Sequence, residues 1–355
     1  MSSSRYDRQI ILKEFGPKAQ DKLASARVLV VGAGGLGIPV LQYLNAMGVG
    51  HLGIVDGDRV QESNLHRQVI YTEKQVGDYK VAAAKYFLQN QNSQTIIDTF
   101  CEFLNEKNAI ELISKFDIVV DASDNFPTRY LVNDACVILK KPFVYGALYG
   151  FEGQLSVFNY NEGPTYRCVF PTPPKADEIP NCDTQGVLGI LPGIVGNLQA
   201  LETVKLIAGI GTPLSGKLLI FDALEQQYHQ FHIQKKHENS QIYTLQKSYA
   251  IACAEPMNTI NAEVFLKLHQ QEALQIIDVR EPDEVKNAPF TGALNIPFQH
   301  LSDNIKGESL GTVVYFLCQS GVRSARAIQQ LQEHYPNTKF ISVEGGIKAL
   351  LTYEY

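Results

Sequence analysis

The chain has 355 residues, more than one ordinary hydrophobic core organises, so its length predicts two domains or one large domain with an appendage. A hydrophobic content of 45% is typical of an ordered globular protein, and a formal net charge of −6 without a basic cluster argues against a nucleic-acid partner. No signal-peptide core or membrane-spanning run is visible and the six cysteines include no CxxC pair, so we expect a cytoplasmic protein with free thiols and no membrane partner.

Apolar runs alternate with helix-length segments through the first half of the chain. This alternation is typical of βαβ units and predicts a Rossmann-like, doubly wound sheet of mostly parallel strands. The predicted strands are residues 27–31, 52–56, 95–103, 117–121 and 142–146. The predicted helices are residues 38–47, 79–90, 107–114 and 128–139.

The pattern changes after Gly146, where antiparallel strands are predicted to extend the sheet. These strands are residues 154–159, 217–222 and 228–234, with a helix at 192–208. A long irregular stretch, residues 163–185, separates the first of them from the helix, and loops of this length usually carry function or are mobile.

A polar, aperiodic segment divides the chain into two predicted domains. We take residues 241–258 as a linker, so that the first domain spans 1–240 and a second, small α/β domain spans 259–355. In the second domain, strands are predicted at 274–279, 312–317 and 339–343, and a helix at 324–334.

A glycine-rich turn follows the first predicted strand and opens the first predicted helix. Its glycines are Gly32, Gly34, Gly35 and Gly37. Glycine lets the backbone approach a polyphosphate closely, and the first N–H groups of a helix point at such a ligand. Asp56 ends the next strand, where a carboxylate can accept hydrogen bonds from ribose hydroxyls. Alone, this pattern favours NAD, so an NAD-dependent oxidoreductase is one alternative.

Polar residues downstream of Asp56 favour ATP instead. They are Ser63, Asn64, Arg67, Lys80, Asp124 and Asn125. Attack on the α-phosphorus of ATP needs cations that absorb the developing charge and a carboxylate that holds magnesium. Arg67 and Lys80 are the candidate cations, and Asp124, just past a parallel strand, is the candidate magnesium ligand. The same residues also fit ordinary surface charges and a helix cap.

Five motifs stand in order along residues 5–234. They are RYDRQ at 5–9, GAGGLG at 32–37, SNLHRQ at 63–68, DASDN at 121–125 and GVLGILPGIVGNLQALE at 186–202. In this combination they resemble the MoeB/ThiF group of the ubiquitin-activating-enzyme superfamily, whose members adenylylate the C-terminal glycine of a small ubiquitin-like sulfur carrier.

The resemblance implies an ATP-dependent nucleotidyltransferase that acts in molybdopterin, thiamine or related sulfur chemistry. It implies that Gly35 and Asp56 contact phosphates and ribose, and that Asn64, Arg67 and Lys80 line the triphosphate. Asp124 would coordinate magnesium. Arg8 would reach into the active site of a neighbouring subunit, which implies a homodimer. The expected partner is a carrier protein that ends in Gly-Gly.

Two cysteine features of this resemblance concern the long loop. Cys182 lies where family members often carry a cysteine that attacks the adenylate or takes part in sulfur transfer, and a loop thiol suits a nucleophile. Relatives also bind a structural zinc through two CxxC pairs, but here residues 165–168 contain one cysteine and residues 236–240 contain none. We therefore predict no zinc, and a loop and linker held by packing alone.

The second domain contains motifs that resemble a rhodanese domain. They are residues 276–281, 292–297, 318–324 and 343–347. Cys318 follows a predicted strand and precedes a helix, so the intervening amides and the helix dipole can stabilise a thiolate or persulfide. Arg323 supplies a cation beside that sulfur. The alternative, a tyrosine-phosphatase loop, has one more residue between its cysteine and arginine. The usual histidine and tryptophan of rhodaneses are missing.

These residues together predict a homodimeric adenylyltransferase with a fused sulfurtransferase. ATP and magnesium are the expected cofactors, and a cysteine desulfurase is a candidate sulfur donor for Cys318. Besides the oxidoreductase, a non-catalytic scaffold that binds a ubiquitin-like protein is an alternative, although the set Arg67, Lys80 and Asp124 argues against it. The sequence does not distinguish a molybdopterin carrier from a thiamine carrier.

Overall fold

The chain divides into two compact units, one ending at Ile251 and the other beginning at Ala252. The structure is a computed structural model that describes residues 5–174, 186–249 and 258–353, apart from 333 and 337. Each unit has its own sheet. Within the described ranges, no helix is both long enough and apolar enough to cross a membrane.

The first unit contains eight strands and seven helices among the residues described. The strands are β1 Arg27–Val31, β2 His51–Val55, β3 Ile96–Phe100, β4 Ile118–Asp121, β5 Phe143–Tyr149, β6 Glu152–Phe158, β7 Lys217–Asp222 and β8 Gln227–His232. The helices are α1 Asp7–Ile10, α2 Gly16–Ser25, α3 Gly37–Ala46, α4 Lys80–Gln91, α5 Ala109–Ser114, α6 Phe126–Ile138 and α7 Ile190–Ala208.

The strands form one sheet in the order β3-β2-β1-β4-β5-β6-β7-β8. The pairs from β3 to β5 are parallel, and those from β5 to β8 are antiparallel. The predicted doubly wound sheet with an antiparallel extension is therefore confirmed. The strand order reverses between β1 and β4, and ligands of such sheets bind at this point, outside the carboxyl ends of the strands.

Two hydrophobic cores cover the two faces of this sheet, because successive strand residues point to opposite sides. Val28 and Val30 of β1 belong to one core, and Leu29 and Val31 belong to the other. Four of the five residues of β1 are buried, which is typical of a central parallel strand and explains its unbroken apolar run.

The second unit is a five-stranded parallel sheet in the order β11-β10-β12-β13-β9. Its strands are β9 Thr259–Ile260, β10 Ile276–Asp278, β11 Ala293–Asn295, β12 Val313–Leu317 and β13 Lys339–Val343. Its helices are α8 Ala262–Gln271, α9 Pro282–Asn287, α10 Leu301–Asn304, α11 Val322–Gln332 and α12 Gly346–Leu350. This is the predicted small α/β domain.

The elements that the sequence analysis did not predict are mostly short. They are α1, α2, α8, α9, α10, α12, β9 and β11. The longest of them, α2 and α8, have ten residues each. Helix α8 begins after Asn261, whose side chain accepts a hydrogen bond from Glu263 N–H. That cap is a start signal which the analysis overlooked.

Part of the predicted linker packs against the first unit. Tyr249 is 6% exposed, and its hydroxyl donates to Asp134 Oδ2 at 2.7 Å. Its backbone N–H donates to Glu106 Oε1 at 2.9 Å, and Leu245 packs against the same core. The polar residues after β8 are thus joined to this unit as far as Tyr249.

Helices α3 and α7 approach each other closely at Gly196. A Cβ placed there would lie 2.4 Å from the Leu36 carbonyl oxygen and 2.5 Å from Pro39 Cγ. We predict that Gly196→Ala lowers the free energy of unfolding by about 1–3 kcal/mol, because the backbones must separate. Chemical unfolding measures the change.

Gly193→Ala, on the same helix, is the matched control, because a Cβ at Gly193 meets nothing within 4 Å. Alanine is the better helix former, so this variant should be unchanged or more stable by up to about 1 kcal/mol. Equal stability of the two variants would contradict the close approach.

Candidate functional site

The glycine turn lies between β1 and α3, directly against the end of β4. Gly32 has φ +102°, and a Cβ there would lie 2.7 Å from the Ala122 carbonyl oxygen. A Cβ at Gly37 would lie 1.9 Å from the Gly32 carbonyl oxygen. Only glycine fits at these two positions. The turn is therefore packed beside residues 121–125, which contain Asp124.

Asp56 joins the end of β2 to the same turn. Its Oδ2 accepts a hydrogen bond from Ala33 N–H at 2.7 Å, and its Oδ1 accepts one from Asp58 N–H at 2.8 Å. Each carboxylate oxygen can accept a further hydrogen bond, so this arrangement leaves capacity for a ribose hydroxyl. Asp56 is buried at 8% exposure.

Arg67 lies over the glycine turn. Its Cδ is 3.5 Å from the Cβ position of Gly35, and its Nη1 donates to the Ser63 carbonyl at 3.0 Å. The same Nη1 is 2.7 Å from His66 Nε2. Asn64 is buried, and its Oδ1 accepts from Gln61 N–H at 3.3 Å, so its role in this structure is to form the local turn.

Lys80 is the first residue of α4, and its ammonium is paired with a carboxylate. Nζ lies 2.8 Å from Asp58 Oδ2, and the Lys80 side chain is 8% exposed. The Tyr71 hydroxyl lies 2.9 Å from the Ala33 carbonyl oxygen and 3.2 Å from the Lys80 carbonyl oxygen. Burial, aided by Asp56, raises the pKa of Tyr71, so the hydroxyl remains a donor that links the turn to α4.

The analysis of the sequence missed both Asp58 and Tyr71. Asp58 stands two residues after Asp56, and this Asp-Gly-Asp spacing is a signal that could have identified it. Tyr71 closely follows the SNLHRQ motif, but nothing in its local pattern marks it.

Asp124 is exposed beyond the carboxyl end of β4. Its Oδ1 lies 3.4 Å from Asn125 Nδ2, while Asn125 Oδ1 accepts from Thr128 N–H at 2.9 Å and caps α6. The capping interpretation thus holds for Asn125 and leaves the Asp124 carboxylate facing solvent. A carboxylate with an amide oxygen donor beside it matches the oxygen ligands that magnesium prefers.

The beginning of α7 covers the glycine turn. Pro192 Cβ lies 3.0 Å from the Cβ position of Gly35, and the His66 carbonyl oxygen lies 2.5 Å from that of Gly189. Direct contacts therefore bring together the turn, Asp56, Arg67, Lys80 and the Asp124 segment. Cys182 lies outside the described residues.

Arg8 is exposed on α1, away from these residues. Its neighbour Gln9 donates to the Met47 carbonyl at 3.1 Å, just beyond the end of α3. Helix α3 begins at the glycine turn and has ten residues, a length of about 15 Å. Arg8 is thus near the far end of α3 from the glycine turn of its own chain.

Cys168 joins two segments through hydrogen bonds, at the place where the sequence lacks its CxxC pairs. Its Sγ is 3.4 Å from Lys236 N, 3.5 Å from Thr165 Oγ1 and 3.8 Å from Asn239 Nδ2. Burial raises the pKa of Cys168, but these hydrogen bonds outweigh it and place the pKa below its ordinary value. The expectation that packing alone holds these segments was wrong, because hydrogen bonds to sulfur join them. Across the described part of the chain, no group of three or more His, Cys, Asp or Glu residues is arranged to hold a metal.

Cys318 of the second unit is surrounded by the loop that follows β12. Its Sγ accepts a hydrogen bond from Gly321 N–H at 3.1 Å and lies 3.5 Å from Ser324 Oγ. Gly321 has φ +87°, which turns the loop toward the sulfur. The backbone N–H of Ile347 donates to the Cys318 carbonyl at 2.9 Å. The cysteine is 1% exposed.

Arg323 is held by a carboxylate that the sequence analysis missed. Its Nη1 donates to Glu284 Oε2 at 2.6 Å, and its Nη2 donates to Oε1 at 2.5 Å. Hydrogen bonding by Arg323 lowers the pKa of Glu284 to about 2, so the pair is ionised at neutral pH. The Glu281 and Glu284 capping box of α9 fixes the carboxylate, and the Glu-Pro-Asp-Glu pattern is a helix-start signal that could have found it.

The turn at the switch point of one sheet and the cysteine loop of the other define a nucleotide-binding α/β domain joined to a sulfurtransferase-type domain. The ThiF family profile matches residues 6–242, and the rhodanese-like domain profile matches residues 261–352. The chain belongs to the ThiF family and carries a rhodanese-like domain.

Whole-length relatives share both domains. The chain is 37% identical over 372 residues to "Adenylyltransferase and sulfurtransferase MOCS3-1" of Drosophila pseudoobscura pseudoobscura, covering 98% of this chain and 82% of that protein. The Arabidopsis thaliana protein "Adenylyltransferase and sulfurtransferase MOCS3" is 38% identical over 384 residues, covering 97% and 82%. "Sulfur carrier protein adenylyltransferase" of Thermus thermophilus is 51% identical over 236 residues, covering 65% of this chain and 87% of its own length.

The fold is also seen in solved structures. A crystal structure of E. coli MccB superposes with a TM-score of 0.60 at 23% identity, covering 66% of this chain and 73% of that one. The protein is thus an enzyme, an adenylyltransferase with a sulfurtransferase domain. The oxidoreductase, scaffold and phosphatase alternatives are discarded.

Proposed function

We propose that the protein uses ATP to adenylylate the C-terminal glycine of a small ubiquitin-like sulfur carrier, and that Cys318 delivers sulfur to the activated carboxyl group. The observation that carries the proposal is the set of direct contacts joining the glycine turn, Asp56, Arg67, Lys80 and the Asp124 segment at one end of the sheet. The names of the fly, plant and Thermus relatives support it.

In the proposed reaction, a carboxylate oxygen of the carrier attacks the α-phosphorus of ATP. The bond to the β-phosphate breaks, and the products are an acyl-adenylate and pyrophosphate. Arg67 and Lys80 stabilise the negative charge that grows on the phosphates, because preorganised cations act strongly in a partly buried site. The glycine-turn amides bind phosphate, and Asp56 binds ribose. Asp58 competes with the triphosphate for the Lys80 ammonium.

Asp124 is the residue that would hold magnesium, together with the Asn125 side chain. Its exposed carboxylate fits such a ligand. When bound, magnesium supplies neutralising charge to the phosphates. We propose no structural zinc, since the hydrogen bonds to Cys168 occupy the place where relatives are expected to have cysteine ligands.

In the sulfur step, the Cys318 loop stabilises a persulfide supplied by a donor such as a cysteine desulfurase. The Gly321 N–H is directed at the sulfur, and Arg323 is fixed nearby through Glu284. Transfer of the terminal sulfur to the acyl carbon releases AMP. Cys182 is the candidate thiol for completing the thiocarboxylate. The carrier is proposed to end in Gly-Gly, in a molybdopterin or thiamine pathway, and the enzyme to act in the cytoplasm.

Adenylylation should require the cations and Asp124. We predict that Asp124→Ala, Arg67→Ala and Lys80→Ala each lower carrier-dependent ATP–pyrophosphate exchange by roughly a hundredfold or more, the scale of one lost charge contact in a transition state.

The matched controls are Lys85→Ala, on the same helix as Lys80, and Asp117→Ala, at the opposite end of β4 from Asp124. Both should exchange pyrophosphate like the wild type. Exchange by Asp124→Ala within about tenfold of wild type would argue against the magnesium role.

The position of Arg8 supports a site shared between subunits of a homodimer. Arg8 lies away from its own glycine turn, so we propose that it acts in the partner's site. Mixing inactive Arg8→Ala with inactive Asp124→Ala protein should restore part of the exchange activity, because one site of each mixed dimer then has both residues. Arg8→Ala mixed with itself is the control. Persistent inactivity after verified subunit exchange would refute the arrangement.

The sulfur step should depend on Cys318 and be separable from the ATP step. Cys318→Ser should abolish thiosulfate:cyanide sulfurtransfer and leave pyrophosphate exchange nearly unchanged. Arg323→Ala should weaken sulfurtransfer, since the loop loses its cation. Cys101→Ser, at an exposed free thiol, is the control. If mass spectrometry finds no added sulfur atom on Cys318 after incubation with thiosulfate or a desulfurase, the second domain is not the carrier of sulfur.

A further inference from the structure

A buried cation lies beneath Asp124 without a matched partner. Arg129, in the first turn of α6, is 8% exposed. Its Nε has no hydrogen-bond partner within the described structure, and its Nη2 reaches the Ser123 carbonyl at a long 3.5 Å. The guanidinium carbon lies 5.1 Å from the Phe126 ring centroid and 5.7 Å from that of Tyr145. Aromatic contacts thus hold this side chain.

A buried anion stands on the other side of the same segment. Asp121, the last residue of β4, is 0% exposed. Its Oδ1 accepts from Ser123 Oγ at 2.6 Å and from Ser123 N–H at 3.1 Å, whereas its Oδ2 has no partner in the described structure. Arg129 and Asp121 therefore influence each other by charge without a direct hydrogen bond.

The arrangement is costly for stability alone. Removing a charge from water costs several kcal/mol unless a partner of good geometry compensates. A bidentate pair was available in this fold, since Arg167 contacts Asp134 at 2.7 and 2.8 Å. Burial lowers the pKa of Arg129, but Tyr145, Asp121, Tyr166 and Asp124 raise it above the ordinary value, so the guanidinium stays charged. Asp124 is thus within range of its field.

We propose that Arg129 is a positioning residue for Asp124. Its charge and its contact with the Ser123 carbonyl hold residues 121–125 so that the Asp124 carboxylate is presented to the nucleotide site and is not displaced by repulsion from Asp121. This inference rests on the proposed function, because Asp124 is taken there as the magnesium ligand. The orphaned polar atoms on either side of the segment are the observation that carries it.

The competing explanation is that Arg129 only neutralises Asp121 inside the core. Four variants separate the two: Arg129→Met, Asp121→Asn, their combination and, as a control, Arg167→Met. In the combined variant neither buried charge remains, so a merely compensating role predicts recovery of both stability and activity. Arg167→Met breaks a buried ion pair elsewhere and reports the effect of lost stability alone.

The measurements are the melting temperature and carrier-dependent pyrophosphate exchange over a magnesium titration. We expect Arg129→Met to raise the magnesium concentration for half-maximal exchange roughly tenfold, the scale reported by changes behind a metal ligand. The combined variant should melt near the wild type yet keep the raised midpoint. Arg167→Met should melt lower with the wild-type midpoint.

A wild-type midpoint in the combined variant would overturn the proposal and leave charge compensation as the role of Arg129. If Arg129→Met does not fold, Arg129→Lys retains the charge but loses the guanidinium fork, and it should raise the midpoint too; an unchanged midpoint would again overturn the proposal. Failure of the proposed function is a separate result, since the wild type itself would then show no carrier-dependent exchange.

Discussion

The close approach of Gly32 to the Ala122 carbonyl is the constraint on which the nucleotide end of the molecule depends. Because no side chain intervenes, the turn after β1 lies directly against the segment after β4. Two stretches of chain that are about ninety residues apart in sequence are thereby joined at the switch point of the sheet. Asp56 binds the same turn from β2, so the ends of three neighbouring strands are fixed relative to one another.

Charge at this end of the sheet is arranged before any ligand arrives. Asp56 accepts two backbone N–H groups, Lys80 is paired with Asp58, and Arg67 donates to a backbone carbonyl. Groups held in this way need little reorganisation when charge develops in a transition state. The second unit follows the same rule at Cys318, where a backbone N–H is already directed at the sulfur.

Patterns that are local in sequence were the predictable part of this protein. The apolar run of β1 and the glycines after it required no knowledge of distant residues, and β1 was predicted with its observed bounds. Glu284 was missed because its partner Arg323 is 39 residues away, and only the folded chain brings them together. Arg129 was missed for a related reason. Its sequence neighbours indicate a helix start, while its importance comes from Asp121 across the segment and from aromatic rings that surround it.

The exit of the chain from the first unit is fixed by polar contacts. Cys168 and Asn239 join the loop after β6 to the segment after β8, and Asp134 receives both Arg167 and the Tyr249 hydroxyl. A buried ion pair contributes little net stability, because desolvation offsets much of the attraction, but it strongly penalises alternatives that leave one charge alone. The contacts therefore act mainly on specificity. A first unit that stopped at residue 240 would leave Asp134 without the Tyr249 hydroxyl and uncover the surface on which Leu245 packs. For this reason the residues up to Tyr249 belong physically to the adenylylating unit, although their composition is that of a linker.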